Sequence, residues 1–184
     1  LLQNEEYIKT LIEKYWFLTD EIKDDDIYYS LEGYLFPDTY AIENKDVKIE
    51  DIFEKMLDRM KEILDEYKDE IENSEYSVHE ILTIASIIEM ESMSNEDRSG
   101  ISRVIYNRLN NNMKIGSDVT TYYAVQVDMG ERDLYQRELD EYNPYNTRGP
   151  NMEGKLPIGP ISSVSKNSIE AALEPSNTDY LFFV

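Results

Sequence analysis

Residues 77–92 read Ser-Val-His-Glu-Ile-Leu-Thr-Ile-Ala-Ser-Ile-Ile-Glu-Met-Glu-Ser, and they constrain everything around them. Ser77 and Glu80 have the spacing of a capping box, in which each side chain satisfies a backbone N–H at the start of a helix. The helix they open is expected to run from Val78 to about Met93. Ile81, Leu82, Ile84, Ala85, Ile87 and Ile88 leave it almost no polar face. A helix that is apolar all round belongs in an interior. His79, the only histidine, falls in its first turn and reads as a surface residue near a helix start.

Glu89 breaks the apolar pattern, on the same stripe as Leu82 and Ala85. Burying an ionised carboxylate is costly, so such a site favours the neutral acid and is expected to raise the pKa. A carboxyl still protonated near neutral pH is what cleavage of a glycosidic bond requires, because the leaving oxygen must receive a proton. A structural reading stands beside the chemical one. Glu89 would then pair with a buried arginine such as Arg103 or Arg108, or point outward at the helix end. Glu91 lies two residues further, roughly 200° round the helix, so the two carboxylates face opposite ways. A second carboxylate would have to come from elsewhere, with Asp118 and Glu32 as candidates.

Outward from this helix, Leu1 to Leu18 reads as a helix and Asp20 to Asp26 as an acidic connector. Tyr28 to Tyr40, broken by Gly33 and Pro37, reads as extended segments around a turn. Apolar residues from Ile49 to Ile71 recur at spacings of three and four, which predicts one long amphipathic helix. Beyond the central helix, Ser94 to Asp97 resembles a second cap, and Ile101, Val104, Ile105 and Leu109 line one face of a helix ended by Asn110 to Asn112. Ser117 or Asp118 would cap a short helix through Val125. Asn143 to Ser165, rich in proline and glycine, reads as a long ordered loop. Ser165 then caps a helix that Pro175 stops after Leu173. The expected fold is α+β and predominantly helical, with a small β-sheet formed by Thr39 to Ile42 and a C-terminal strand, Tyr180 to Val184.

The chain has 18 basic and 39 acidic residues, a formal charge of −21, which repels nucleic acid and excludes a phosphate-backbone partner. Without cysteine it can hold no disulfide or thiolate metal site, and one histidine does not make a usual metal centre. No glycine-rich nucleotide motif is present, so no cofactor is expected. Tyr122, Tyr123, Tyr142, Tyr145 and Asn146 combine flat aromatic faces with an amide, a mixture suited to sugar rings and N-acetyl groups and equally to core packing. The chain begins at Leu1 and contains no run of about 18 apolar residues, so it reads as a piece of a longer protein.

Several segments resemble one family in order. Leu31-Glu32-Gly33-Tyr34-Leu35-Phe36-Pro37-Asp38-Thr39-Tyr40 and Ala85-Ser86-Ile87-Ile88-Glu89-Met90-Glu91 are similar to motifs of the YceG-like (MltG) endolytic murein transglycosylases. So are Tyr106-Asn107-Arg108-Leu109 with Met113 to Asp118, Tyr145-Asn146-Thr147, Leu156-Pro157 with Gly159-Pro160-Ile161, and Ala171-Ala172-Leu173 through Val184. Val119, Arg148, Ile158 and the segment Ser163-Val164-Ser165 depart from the pattern, the last replacing Asn-Pro-Gly.

The resemblance implies a lytic transglycosylase that cleaves the MurNAc–GlcNAc bond of nascent peptidoglycan strands and leaves a 1,6-anhydro end. Glu89 would be the acid/base, with substrate contacts from Glu32, Glu91, Asn107, Asp118, Thr120, Tyr123, Tyr145 and Asn146. Residues 28–184 would be the catalytic domain, cut short at its C-terminus, and residues 1–27 a helical linker from a membrane-proximal module. The whole protein would be a single-pass membrane protein with this domain outside the cytoplasm, working with cell-wall synthesis and division proteins. The alternatives are a non-catalytic peptidoglycan-binding or scaffold module and a hydrolytic muramidase.

Overall fold

A computed structural model describes residues 4–42 and 44–183. Its centre is the helix the sequence opens with a capping box: the Ser77 hydroxyl accepts from Glu80 N at 3.2 Å, and the Glu80 carboxylate accepts from Ser77 N at 2.8 Å. The helices are α1 (Glu5–Lys14), α2 (Ile49–Glu66), α3 (Lys68–Glu72), α4 (Val78–Glu91), α5 (Arg98–Asn110), α6 (Asp118–Val125), α7 (Gln136–Asp140) and α8 (Lys166–Leu173). Every α4 residue from Val78 to Ile88 except Glu80 is buried. It packs chiefly against α8 and α5, which also meet each other, and touches α6 near its end.

Among the described residues there is no β-strand, so the fold is all-α and the expected small sheet is absent. Thr39 to Ile42 is irregular and largely exposed, with no neighbour to complete a ladder. Tyr180 to Phe183 is irregular too, and Val184 lies outside the described residues. The segment is held in place by side chains of α5 rather than by a neighbouring strand. Asn107 Nδ2 donates to Thr178 O and Tyr180 O at 3.0 and 2.8 Å, and Arg108 Nε to Leu181 O at 2.7 Å.

Two other expectations change. The first helix begins at Glu5, where the Asn4 side chain accepts from Glu6 N and Tyr7 N, and it ends at Lys14; residues 1–3 lie outside the description. Tyr15 to Leu18 leaves the helix to lay its rings on α2, with Tyr15 Oη donating to Asp58 at 2.8 Å and Trp16 Nε1 to Asp65 at 2.8 Å. The long amphipathic helix is interrupted at Tyr67, between α2 and α3, and the Tyr67 hydroxyl reaches Glu170 on α8 at 3.2 Å. Ile8, Leu11, Tyr15, Phe17, Leu18 and Ile22 join the same apolar cluster as α4.

His79 is not at the surface but 5% exposed. Its Nε2 lies 2.8 Å from Ile158 O, an atom that can only accept, so Nε2 carries the proton. Nδ1 then accepts from the buried Tyr34 hydroxyl at 2.7 Å. The imidazole thus ties residues 31–36 and the loop at residues 156–161 to α4. Two glycines make that junction close enough. A Cβ on Gly159 would lie 3.3 Å from the His79 ring, and one on Gly33, whose φ is +79°, would lie 2.4 Å from Pro160 Cβ.

Gly33→Ala combines a left-handed backbone with a steric overlap, and should cost about 2–4 kcal/mol. Urea unfolding followed by circular dichroism measures the loss, and an unchanged midpoint would contradict the interlock.

Candidate active site

Glu89 sits in the last turn of α4, where the helix emerges from the core, and its side chain is 26% exposed. The α8 N-terminus faces it. Ser165 N and Ser165 Oγ donate to Glu89 Oε2 at 3.0 and 2.5 Å, and Ser168 Oγ donates to the same oxygen at 2.7 Å. Ser165 Oγ also accepts from Ser168 N, so one hydroxyl caps α8 and binds the carboxylate. From the start of α5, Arg98 completes the cradle with Nη1 to Oε2 at 3.1 Å and Nη2 to Oε1 at 3.3 Å. The guanidinium is 13% exposed, and it is braced by Nε to Asn95 Oδ1 at 3.1 Å and by Nη1 on the Ser168 hydroxyl.

This cradle reverses the expected electrostatics. Burial does push the Glu89 pKa up, and it is the largest single influence. The hydroxyls of Ser165 and Ser168, the Ser165 N–H and the Arg98 charge together outweigh it, and the carboxyl is held below its ordinary value. The arginine is neither Arg103 nor Arg108. Those reach Ser176 O and, for Arg108, Leu181 O and Ile115 O. Sequence reasoning missed Arg98, Ser165 and Ser168 as partners of Glu89. The cap at Ser165 was readable, but nothing local places it on a residue 76 positions earlier.

Glu91 turns the other way, as the helical spacing requires, and accepts from Ser117 Oγ at 2.5 Å. Ser117 precedes α6 without capping it through its side chain. Thr120 Oγ1 donates to Ser117 O at 2.7 Å and lies 2.8 Å from Thr147 Oγ1, so the Tyr145-Asn146-Thr147 loop is fastened beside Glu91. Tyr145 and Asn146 are each 1% exposed. Tyr145 packs 4.8 Å from the rings of Tyr28 and Tyr123. Asn146 donates to Glu138 O, Leu139 O and Glu141 O and accepts from Thr121 Oγ1. These two residues therefore build the loop and offer no open face to a sugar.

The remaining candidates are dispersed. Asp118 is exposed and paired with Arg148, and Asn107 holds the C-terminal segment. Glu32 is half-buried, and burial pushes its carboxyl up. Burial also raises Tyr123, with the Glu32 charge second, and the buried Tyr123 hydroxyl has no hydrogen-bond partner among the described residues. Among the described residues no cluster of three or more metal-binding side chains occurs.

Fold and site together define an all-α protein with a carboxylate-centred site at the end of its central helix. The chain belongs to the YceG-like family, whose model matches residues 2–184. It is 39% identical over 167 residues to an endolytic murein transglycosylase of Bacillus subtilis (strain 168), an alignment covering 91% of this chain and 45% of that protein. It is 35% identical over 191 residues to an endolytic murein transglycosylase of Streptococcus pneumoniae serotype 2 (strain D39 / NCTC 7466), covering 100% of this chain and 33% of that one. The crystal structure of a yceG-like protein from Listeria monocytogenes superimposes with a TM-score of 0.91 at 36% identity, covering 100% of this chain and 58% of that chain. The chain thus spans less than half the length of the curated relatives it matches.

The depressed Glu89 pKa has a consequence for stability. The folded state holds this proton less tightly than the unfolded chain, so the ionised cradle stabilises the fold above the ordinary carboxylate value of 4.5. That contribution fades as pH falls through the lower folded value. Glu89→Gln should therefore be less stable than the parent at pH 7, with the gap narrowing on acidification. Urea midpoints measured across the pH range test this, and a gap independent of pH would count against an ionised Glu89.

Proposed function

We propose that this chain carries the glycan-cleaving site of an endolytic murein transglycosylase, with Glu89 as acid and base. The carrying observation is the geometry of one carboxylate. It lies where a buried helix reaches the surface, and four donors fix one of its oxygens while the other keeps a single long contact. The names of the relatives point to the same chemistry on peptidoglycan.

In the proposed reaction, protonated Glu89 gives its proton to the oxygen joining MurNAc C1 to GlcNAc, and the C1–O bond breaks. The carboxylate then takes the proton of the MurNAc 6-hydroxyl as O6 bonds to C1. Glu89 returns to its protonated form, the product is a 1,6-anhydro end, and no water is consumed. A single carboxylate suffices because the nucleophile belongs to the substrate, which accords with Glu91 facing away toward Ser117.

The free protein holds Glu89 ionised, so the acid step draws on a minor protonated fraction. Turnover at subsaturating substrate should rise as pH falls from neutral toward the depressed pKa. We further propose that the site works outside the cytoplasm, beside the cell-wall synthesis machinery, and is anchored by a membrane segment elsewhere in the protein. Among the described residues no helix is long and apolar enough to cross a membrane.

Glu89→Gln keeps the size of the side chain and removes the acid, and should lower glycan cleavage by about 100-fold or more while strand binding persists. Mass spectrometry of the products separates the readings. Anhydro ends support the transglycosylase, ends heavier by one water indicate a muramidase, and binding without any cleavage indicates a scaffold module.

A further inference from the structure

The two oxygens of Glu89 are in unequal surroundings. Oε2 receives Ser165 N, Ser165 Oγ, Ser168 Oγ and Arg98 Nη1 at 2.5–3.1 Å. A carboxylate has about four lone-pair sites over both oxygens, so Oε2 is saturated. Oε1 has one described partner, Arg98 Nη2, at 3.3 Å. Arg98 alone spans both oxygens, and it links α4, the start of α5 and the first turn of α8.

We propose that Arg98 is a positioning residue for Glu89: with Ser165 and Ser168 it pins Oε2 and leaves Oε1 to exchange the proton with the glycan. The proposal rests on Glu89 being the acid/base. A fork that grips both oxygens fixes the plane of the carboxyl group, and a point charge cannot do so. The Arg98 side chain is itself immobilised by Asn95 and Ser168, so the carboxyl orientation is set before any ligand arrives.

The charges around this pair are few. From α5, Arg98 is the only charged group that touches Glu89. On α8, Lys166 pairs with Glu66, and Glu170 accepts from the Tyr67 hydroxyl. On α4, Glu91 is turned to Ser117, and on α6, Asp118 pairs with Arg148. A cleft on the far side of Arg98 is lined by Asn95, Ser99, Asn167, Glu170 and Glu174. Replacing Arg98 by a neutral residue therefore removes the one positive charge that contacts the carboxylate among the described residues.

The test is the pH dependence of glycan cleavage by the purified protein and its Arg98→Gln, Arg98→Lys and Ser168→Ala variants, with thermal unfolding measured in parallel. In Arg98→Gln, kcat should fall about 10- to 100-fold with KM changed less than about twofold. The pH below which the rate stops rising should move upward, because a neighbouring positive charge no longer favours the ionised form. Arg98→Lys should return that pH toward the parent while kcat stays low, since charge returns without the fork. A merely structural arginine predicts a lower Tm with an unmoved pH profile, and that result overturns the proposal. If Arg98→Gln does not fold, Arg98→Lys and Ser168→Ala decide: full kcat in both overturns it. Should Glu89→Gln itself remain active, the acid/base reading fails first. An inactive Glu89→Gln beside an Arg98→Gln with parental kinetics sinks this inference alone.

Discussion

The burial of α4 is the constraint on which the rest of the structure depends. A helix sunk in the core from Val78 to Ile88, Glu80 apart, cannot leave its buried polar side chains to water, so each one must find a partner in the protein. Thr83 bonds back to His79 O, and Ser86 to Thr83 O. Three residues of the helix also reach outward to one loop. His79 meets Ile158 O, the Ser86 hydroxyl accepts from Ile161 N, Ser86 O accepts from the Ser162 hydroxyl, and Glu89 takes Ser165. The loop thus runs beside the helix in the same direction, fastened at successive turns. Leaving any such buried group unmade costs about 1–3 kcal/mol, which is why an irregular segment of this length holds one conformation.

That seam explains why the motifs of the sequence are spaced as they are. The segment at Gly33 and Tyr34 and the loop from Leu156 to Ser165 are more than a hundred residues apart, yet Gly33 abuts Pro160 and Tyr34 shares His79 with Ile158. These residues stand far from Glu89 in sequence and do no chemistry themselves. They position the loop whose last turn carries Ser165 and opens α8. The chain therefore places Glu89 through a series of contacts, of which the capping box at Ser77 is the first and the serine–arginine cradle the last.

Local signals in the sequence were reliable where one residue decides one backbone bond. The caps at Ser77 and Ser165, the stop at Asn110 to Asn112 and the end of α8 before Pro175 all stand as read. Failures arose where a partner is remote. Tyr180 to Phe183 has a strand's composition, but Asn107 and Arg108 hold it rather than a neighbouring strand. His79 looked like a surface residue because neither Tyr34 nor Ile158 is local to it. Tyr145 and Asn146 have the side chains of a sugar site and are spent on packing Tyr28 and closing the turns after α7. Glu89 itself was legible, since a lone carboxylate on an apolar stripe is conspicuous. Its direction of titration was not, because that depends on donors brought by α5 and α8.

The cradle also changes how a carboxylate in this position is to be understood. An acid made neutral by apolar walls alone is indifferent to its orientation, whereas one held by directed donors is fixed in plane and offers one particular oxygen. The segment Ser163-Val164-Ser165 contributes to this directly. A glycine at residue 165 would keep the N–H that Glu89 accepts but lose the hydroxyl at 2.5 Å and the side-chain cap on α8. The serine therefore ties the start of α8 to Glu89 through one side chain. In a site built this way, groups that set the proton affinity of Glu89 also fix its place against α8.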